Sequence, residues 1–160
     1  MASDLANLES SYTISAKKYK LPTFKTLVAD FEIDKIDRPT LTPLRLIRKV
    51  IMEKIVNTIT FLEMISNPVN SPKVYLPFIK NISTEDKKLI DEIYNSLGVL
   101  SVASLELEVD YNEKREAEMV KEAARVWNSA KPKLSTILSH IKKPVNDTSN
   151  NPKREKSYFG

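Results

Sequence analysis

Most apolar residues of this chain recur at helical spacing. Phe24, Leu27, Val28 and Phe31 fall at i, i+3, i+4 and i+7, one stripe of a short amphipathic helix, and Thr23 before them offers a capping hydroxyl. Residues 32–41 mix charges with Pro39 and read as a connector. Thr42-Pro43 then supplies an N-cap followed by proline at the first helical position. From there Leu44, Ile47, Ile51, Ile55, Leu62 and Ile65 keep one face apolar for about six turns, until Asn67-Pro68 ends the run. The pattern predicts a long helix over 43–66.

Pro68, Pro72 and Pro77 predict extended or turning backbone over 67–80, with Val74, Tyr75, Leu76, Phe78 and Ile79 packing on the helices as an apolar clamp. Ser83-Thr84-Glu85-Asp86 reads as a capping-box variant, and Leu89, Ile93, Leu97 and Leu100 continue at helical spacing. Further on, Leu105, Leu107 and Val109 alternate with Glu106 and Glu108 as a half-buried strand does; helix is favoured because no partner strand is evident, and both readings of 99–109 stay open. Asp110 with Glu113 marks the next start. Val120, Ala123, Trp127, Ala130, Leu134, Ile137 and Ile141 hold phase through Pro132, which predicts one kinked helix to Lys143, stopped by Pro144. Trp127 belongs to its core face.

The expected fold is all-α: an antiparallel bundle of three long helices, roughly 43–66, 84–109 and 112–143, closed by the 24–31 helix and the 74–79 segment. Residues 1–22 are expected to be a flexible N-terminal arm, 23–143 the helical domain, and 144–160 a disordered basic tail with too few apolar residues to pack. The chain of 160 residues suits a single domain.

Composition narrows the chemistry. There is no cysteine, no glutamine, one histidine (His140) and two glycines, Gly98 and Gly160, so thiolate zinc sites, disulfides, cysteine nucleophiles and glycine-rich phosphate loops are excluded. No cofactor or metal is expected. No stretch approaches the roughly 20 apolar residues of a membrane-spanning helix, and the start MASDLANLES lacks a signal-peptide pattern, so a cytoplasmic location is expected. Asn81-Ile82-Ser83 and Asn146-Asp147-Thr148 are then chance glycosylation sequons. Abundant Lys and Glu without Cys or Gln is a composition of hot environments, against which eleven asparagines argue.

The net charge of +4 is unevenly spread. Residues 106–122 hold seven carboxylates against three bases, and residues 125–160 hold eight bases against two acids. Such a dipolar layout suits contact with partners of opposite charge at the two ends. The acidic run Glu106, Glu108, Asp110, Glu113, Glu116, Glu118 and Glu122 lacks the glycine turn of a calcium loop and the Glu-x-x-His pair of a di-iron bundle, and Lys114 and Lys121 lie in ion-pairing reach. His140 has no catalytic partner nearby in sequence and reads as a helix-surface residue near a C-terminus. Basic residues interleaved with aromatics are the clearer signal: Lys17, Lys18 and Lys20 lie with Tyr12 and Tyr19, and Lys153, Arg154 and Lys156 lie with Tyr158 and Phe159. The six bases are candidate phosphate contacts, and Tyr158-Phe159 is a candidate peptide that docks into a partner's pocket.

The long basic helix Leu44–Ile65, a loop, and a helix opened by Ile82-Ser83-Thr84-Glu85-Asp86-Lys87-Lys88-Leu89 resembles the helical domain of GINS subunits of the replication fork, over about 60 residues. The chain departs from that family in showing no small β domain beside its helices, and no functional residue carries across. The resemblance implies a place in a DNA-replication complex. The expectation is therefore a non-catalytic subunit or adaptor in a cytoplasmic nucleic-acid-handling assembly, with protein partners and auxiliary basic contacts to DNA or RNA. The alternative from another class is an enzyme using Lys, Tyr or carboxylates in a pocket.

Overall fold

The computed structural model describes residues 2–36 and 40–143, with side chains from residue 7 onward. The tail expected over 144–160, and with it Lys153, Arg154, Lys156, Tyr158 and Phe159, lies outside the described residues. The described residues form helices and no strands: α1 (Ala2–Tyr19), α2 (Phe24–Phe31), α3 (Pro43–Ser66), α4 (Leu76–Ile79), α5 (Thr84–Val109) and α6 (Glu113–Ile141), with single 3-10 turns at Ile33–Lys35 and Lys73–Tyr75.

The local chemistry of the helix ends explains most of these boundaries. Thr23 Oγ1 accepts from the Thr26 N–H at the start of α2. Ser83 and Asp86 form the full reciprocal capping box of α5, each side chain accepting from the other's backbone N–H. α3 starts on Pro43, whose missing N–H is no loss in a first turn, although the Thr42 side chain makes no capping bond. α6 is capped by Asn112, whose Oδ1 accepts from the Arg115 N–H, rather than by Asp110, which caps the end of α5. The 99–109 segment is helix, and α6 runs through Pro132. With only two glycines available, the left-handed residues after α1 and α2 are Lys20 and Glu32, each at φ 56°. That conformation costs an L-residue about 1–2 kcal/mol, which glycine avoids.

The expected flexible arm over 1–22 is corrected by the structure. Residues 2–19 form α1, because Leu8, Tyr12 and Tyr19 share a face that packs on the domain. Tyr12 is fully buried, its hydroxyl donates to the Pro22 carbonyl at 2.6 Å, and its ring meets Phe24 at 5.8 Å between centroids. The helical domain therefore starts at α1 and not at residue 23. The clamp over 74–79 is corrected as well: it is a 3-10 turn followed by one α-helical turn, because Pro77 sits within the first turn of α4, where its missing N–H does no harm. Val74, Leu76 and Phe78 stay exposed, while Ile79 and the edge contact of Tyr75 with Phe61 join it to the rest.

α3, α5 and α6 each pack on the other two and supply most of the core, from Leu44, Ile47, Ile51, Ile55, Leu62 and Ile65 through Ile90, Ile93, Leu97 and Leu100 to Val120, Ala123, Trp127, Leu134 and Ile137. Buried among them is a charge, Arg48, 2% exposed, which reaches α5 and α6 at once. Because α1 contributes core surface, Tyr12→Ala is expected to lower the unfolding free energy in urea by about 3–5 kcal/mol, the range for losing a buried aromatic side chain. A loss below about 0.5 kcal/mol is what an unpacked arm gives.

Candidate functional site

A concavity lies where α2, the turn after it, α3 and α6 meet. It encloses about 980 Å³. Its walls are apolar, with Phe31, Phe61, Trp127 and Leu134 prominent, and Lys35, Lys54 and Lys131 stand among them. α2 supplies Phe31, which meets Trp127 at 5.7 Å between ring centroids. α3 supplies Lys54, whose ammonium lies 5.2 Å from the centre of the Trp127 ring and donates to the Asp30 carbonyl at 2.6 Å. Lys131 of α6 pairs with the nearly buried Asp30 carboxylate. Lys54 and Lys131 are thus held in place by α2 and Lys35 by Glu32 just after it, and Trp127 Nε1 is a buried donor without a hydrogen-bond acceptor among the described residues. A mostly apolar groove with fixed cations suits an apolar segment that also offers hydrogen-bond acceptors.

A second, smaller cleft of about 270 Å³ lies between the start of α5 and the end of α6, lined by Asn81, Ser83, Asp86, His140 and Lys143. His140 Nδ1 is 2.8 Å from Asp86 Oδ1, while Asp86 Oδ2 accepts from the Ser83 N–H and hydroxyl. A nucleophile relay needs the serine hydroxyl on the imidazole. Here it is turned to the carboxylate, so the group acts as a clamp between two helix ends. Asn81 Nδ2 completes it by donating to the carbonyl of Ile141, an acceptor that the end of α6 leaves open, and to that of Lys143 just beyond the helix. His140 was expected to be a helix-surface residue, and a partner 54 positions away in sequence is set by topology, which no local pattern shows.

The candidate phosphate contacts separate into groups. Lys17, Lys18 and Lys20 are exposed at the end of α1, where Lys18 Nζ is 3.3 Å from Glu113 Oε1 and 4.7 Å from the centre of the Tyr19 ring. Tyr19 donates to the same carboxylate at 3.0 Å. Tyr12 is buried and unable to stack on a base, which removes one of the two aromatics read with these lysines. Most of the acidic run is taken up by bases: Glu106 by Arg115, Glu113 by Lys18, Glu116 by Arg48, Glu118 by Lys114 and Glu122 by Arg125. Glu108 faces three, Arg45, Arg48 and Lys49. Among the described residues no group of three or more His, Asp or Glu is placed to hold a metal ion, and no helix is long and apolar enough to cross a membrane.

Compared with known proteins, the chain matches no family model, no curated protein and no solved structure.

Two carboxylates are expected to make the fold acid-sensitive. The hydrogen bond from Arg48, against the opposing effect of burial and with help from Arg45 and Lys49, holds the Glu108 carboxyl down to about 2. Burial pushes Asp86 up, but the bonds from Ser83 and His140 outweigh it and leave it below its ordinary value. Both groups bind their protons less readily folded than unfolded, so their stabilisation is complete above the ordinary carboxylate value of about 4 and is lost as pH falls toward about 2. The urea midpoint should fall across that window, and Glu108→Gln should flatten the fall. An unchanged slope in that variant would rule Glu108 out as a source.

Proposed function

We propose that the chain is a non-catalytic adaptor or subunit in an assembly that handles nucleic acid, and that it holds a partner segment in the groove between α2, α3 and α6. The groove carries this reading: aromatic and aliphatic walls left open beside lysines that are already engaged suit binding better than bond-making chemistry. The arrangement we attach to it is an antiparallel bundle of α3, α5 and α6. Its support is the pairing of opposite ends, Arg48 with Ser104 and Glu108 at one end of α5, and Asp86 with His140 at the other. The nucleic-acid part is supported by the exposed Lys17 and Lys20 beside Lys18, and by the basic composition of residues 125–160. The resemblance of Leu44–Leu89 to a GINS helical domain agrees with such an assembly.

Two measurements test this. Leu138 lines the groove and is 36% exposed, so Leu138→Glu should leave the melting temperature nearly unchanged, as surface changes do. The same change should abolish capture of a defined protein complex from the native cell, with cross-links in the parent mapping to Phe61, Lys131 and Leu138. Recovery of the bare chain at low and moderate salt contradicts the docking reading. On DNA, binding should be weak and insensitive to sequence. The double change Lys17→Ala and Lys20→Ala should reduce the salt slope by about 0.9 per phosphate contact removed; an unchanged slope removes α1 from the nucleic-acid surface.

A further inference from the structure

The connector between α3 and α5 presents apolar side chains to solvent in a stretch without negative charge. Residues 64–84 contain no Asp or Glu, and their charged residues are Lys73 and Lys80. Val69 is 91% and Val74 68% exposed, Leu76 and Phe78 are exposed after them, and none of the four lines the groove described above. Pro68, Pro72 and Pro77 remove three backbone donors, and the N–H groups of Asn70, Ser71, Tyr75 and Lys80 bond to carbonyls of the same segment. Lysines gather at this end of the domain. The bonds from Asn81 to the Ile141 and Lys143 carbonyls bring the end of α6, with Lys142 and Lys143, beside the segment that closes at Lys80, and Lys87 follows in the first turns of α5. All five lysines are exposed, and among the described residues none of their ammonium groups pairs with a carboxylate. Glu63 and Glu85 flank the segment, and Asp86 is buried against His140. At the other end of α5 the bases Arg45, Arg48, Lys49 and Arg115 are all paired.

We propose that this end of the domain docks on a lipid bilayer surface carrying anionic headgroups, the apolar side chains of the connector entering the interface while the lysines meet the headgroups. Charge complementarity selects the surface: the lysines are left without carboxylates, and the connector has no acid for an anionic surface to repel. The apolar side chains separate lipid from nucleic acid. Val69, Val74 and Leu76 gain nothing on phosphates and cannot stack on bases, so Phe78 is the one exposed ring of the four. The backbone fits the same environment, because N–H groups that are absent or already bonded lose little when they leave water. The prolines fix the segment before it binds, which lowers the cost of ordering it. Four apolar side chains give a weak anchor, and lysines alone give adsorption that salt removes, so the two act together and the docking is reversible. This surface is separate from the groove and does not rest on the adaptor reading.

The full chain should float with vesicles of phosphatidylcholine and phosphatidylserine and not with vesicles of phosphatidylcholine alone, and added salt should release it. Lys73→Ala and Lys80→Ala should each weaken binding about fivefold. Val74→Ser with Phe78→Ser leaves the charge unchanged and should remove most of the binding. Insertion is read directly by a single cysteine carrying an environment-sensitive fluorophore, since the chain has no cysteine of its own. The label at Val74→Cys should brighten and shift to the blue on anionic vesicles, while the same label at the exposed Glu118→Cys, toward the other end of α6, should not. Absence of binding to anionic vesicles at low salt, or a label at Val74→Cys that does not respond to them, would overturn the proposal. So would binding that survives Val74→Ser with Phe78→Ser, which would assign it to charge alone, residues 144–160 included. Binding to a DNA duplex that is lost in Lys142→Glu with Lys143→Glu, with vesicles left unbound by the parent, would assign the lysines to nucleic acid instead.

Discussion

The structure depends on one buried guanidinium. Arg48 is 2% exposed within a helix whose inward side is otherwise aliphatic, and a charge there is tolerable only if its donors are met. They are met from two other helices. Nε and Nη2 grip both oxygens of the fully buried Glu116 on α6 at 2.6 and 3.3 Å, Nη2 also reaches Glu108 at 2.6 Å, and Nη1 reaches the Ser104 hydroxyl on α5 at 2.5 Å. Rows of Ile and Leu pack acceptably at more than one axial position. A fork of fixed donors does not. Sliding α5 by one turn, about 5.4 Å, would take Ser104 and Glu108 out of reach while Arg48 stayed buried, so this cluster sets the register of α3, α5 and α6. At the far end of α5 the Asp86–His140 pair and Asn81 tie it to the end of α6.

What the amino-acid sequence made legible follows from the range of each interaction. Capping and periodicity act within one or two turns, which is why the bounds of α2, α3 and α5 could be read from Thr23, Pro43 and Ser83. α1 escaped because its buried positions, Leu8 and Tyr12, are few and sit with the half-buried Tyr19 in a polar segment, so the two tyrosines read as aromatics interleaved with lysines. Arg48 escaped for the converse reason. In the pattern it is one more base of the long basic helix Leu44–Ile65, and a pattern has no means of saying that two acids and a serine from later helices will converge on it. Of the candidate site, Trp127 was legible as a core residue, but the groove it helps to wall was not, since it is made by elements up to a hundred residues apart such as Asp30 and Lys131.

The same division separates the fold's rigid part from its open surfaces. The interior is specified by the Arg48 cluster and the clamp at the other end of α5, while apolar side chains are left open in the groove beside Trp127 and on the outer side of α5 at Val99, Val102, Leu105 and Val109. They lie on different helices and expose different chemistry, one concave with fixed lysines and the other an open helix side around Gly98. A scaffold with a fixed register can present both without reorganising, which suits an adaptor better than an element that must move to act.

The claim that Arg48 and Glu116 act as one unit to set the register is tested by a double-mutant cycle in urea, with Arg48→Met, Glu116→Leu and both together. Each single change strands a buried charge and should cost about 3–5 kcal/mol, while the double change, which leaves apolar side chains of similar size, should cost far less than the sum and fall near the parent. Single changes costing under about 0.5 kcal/mol, or a double change equal to the sum of the two, would contradict the account.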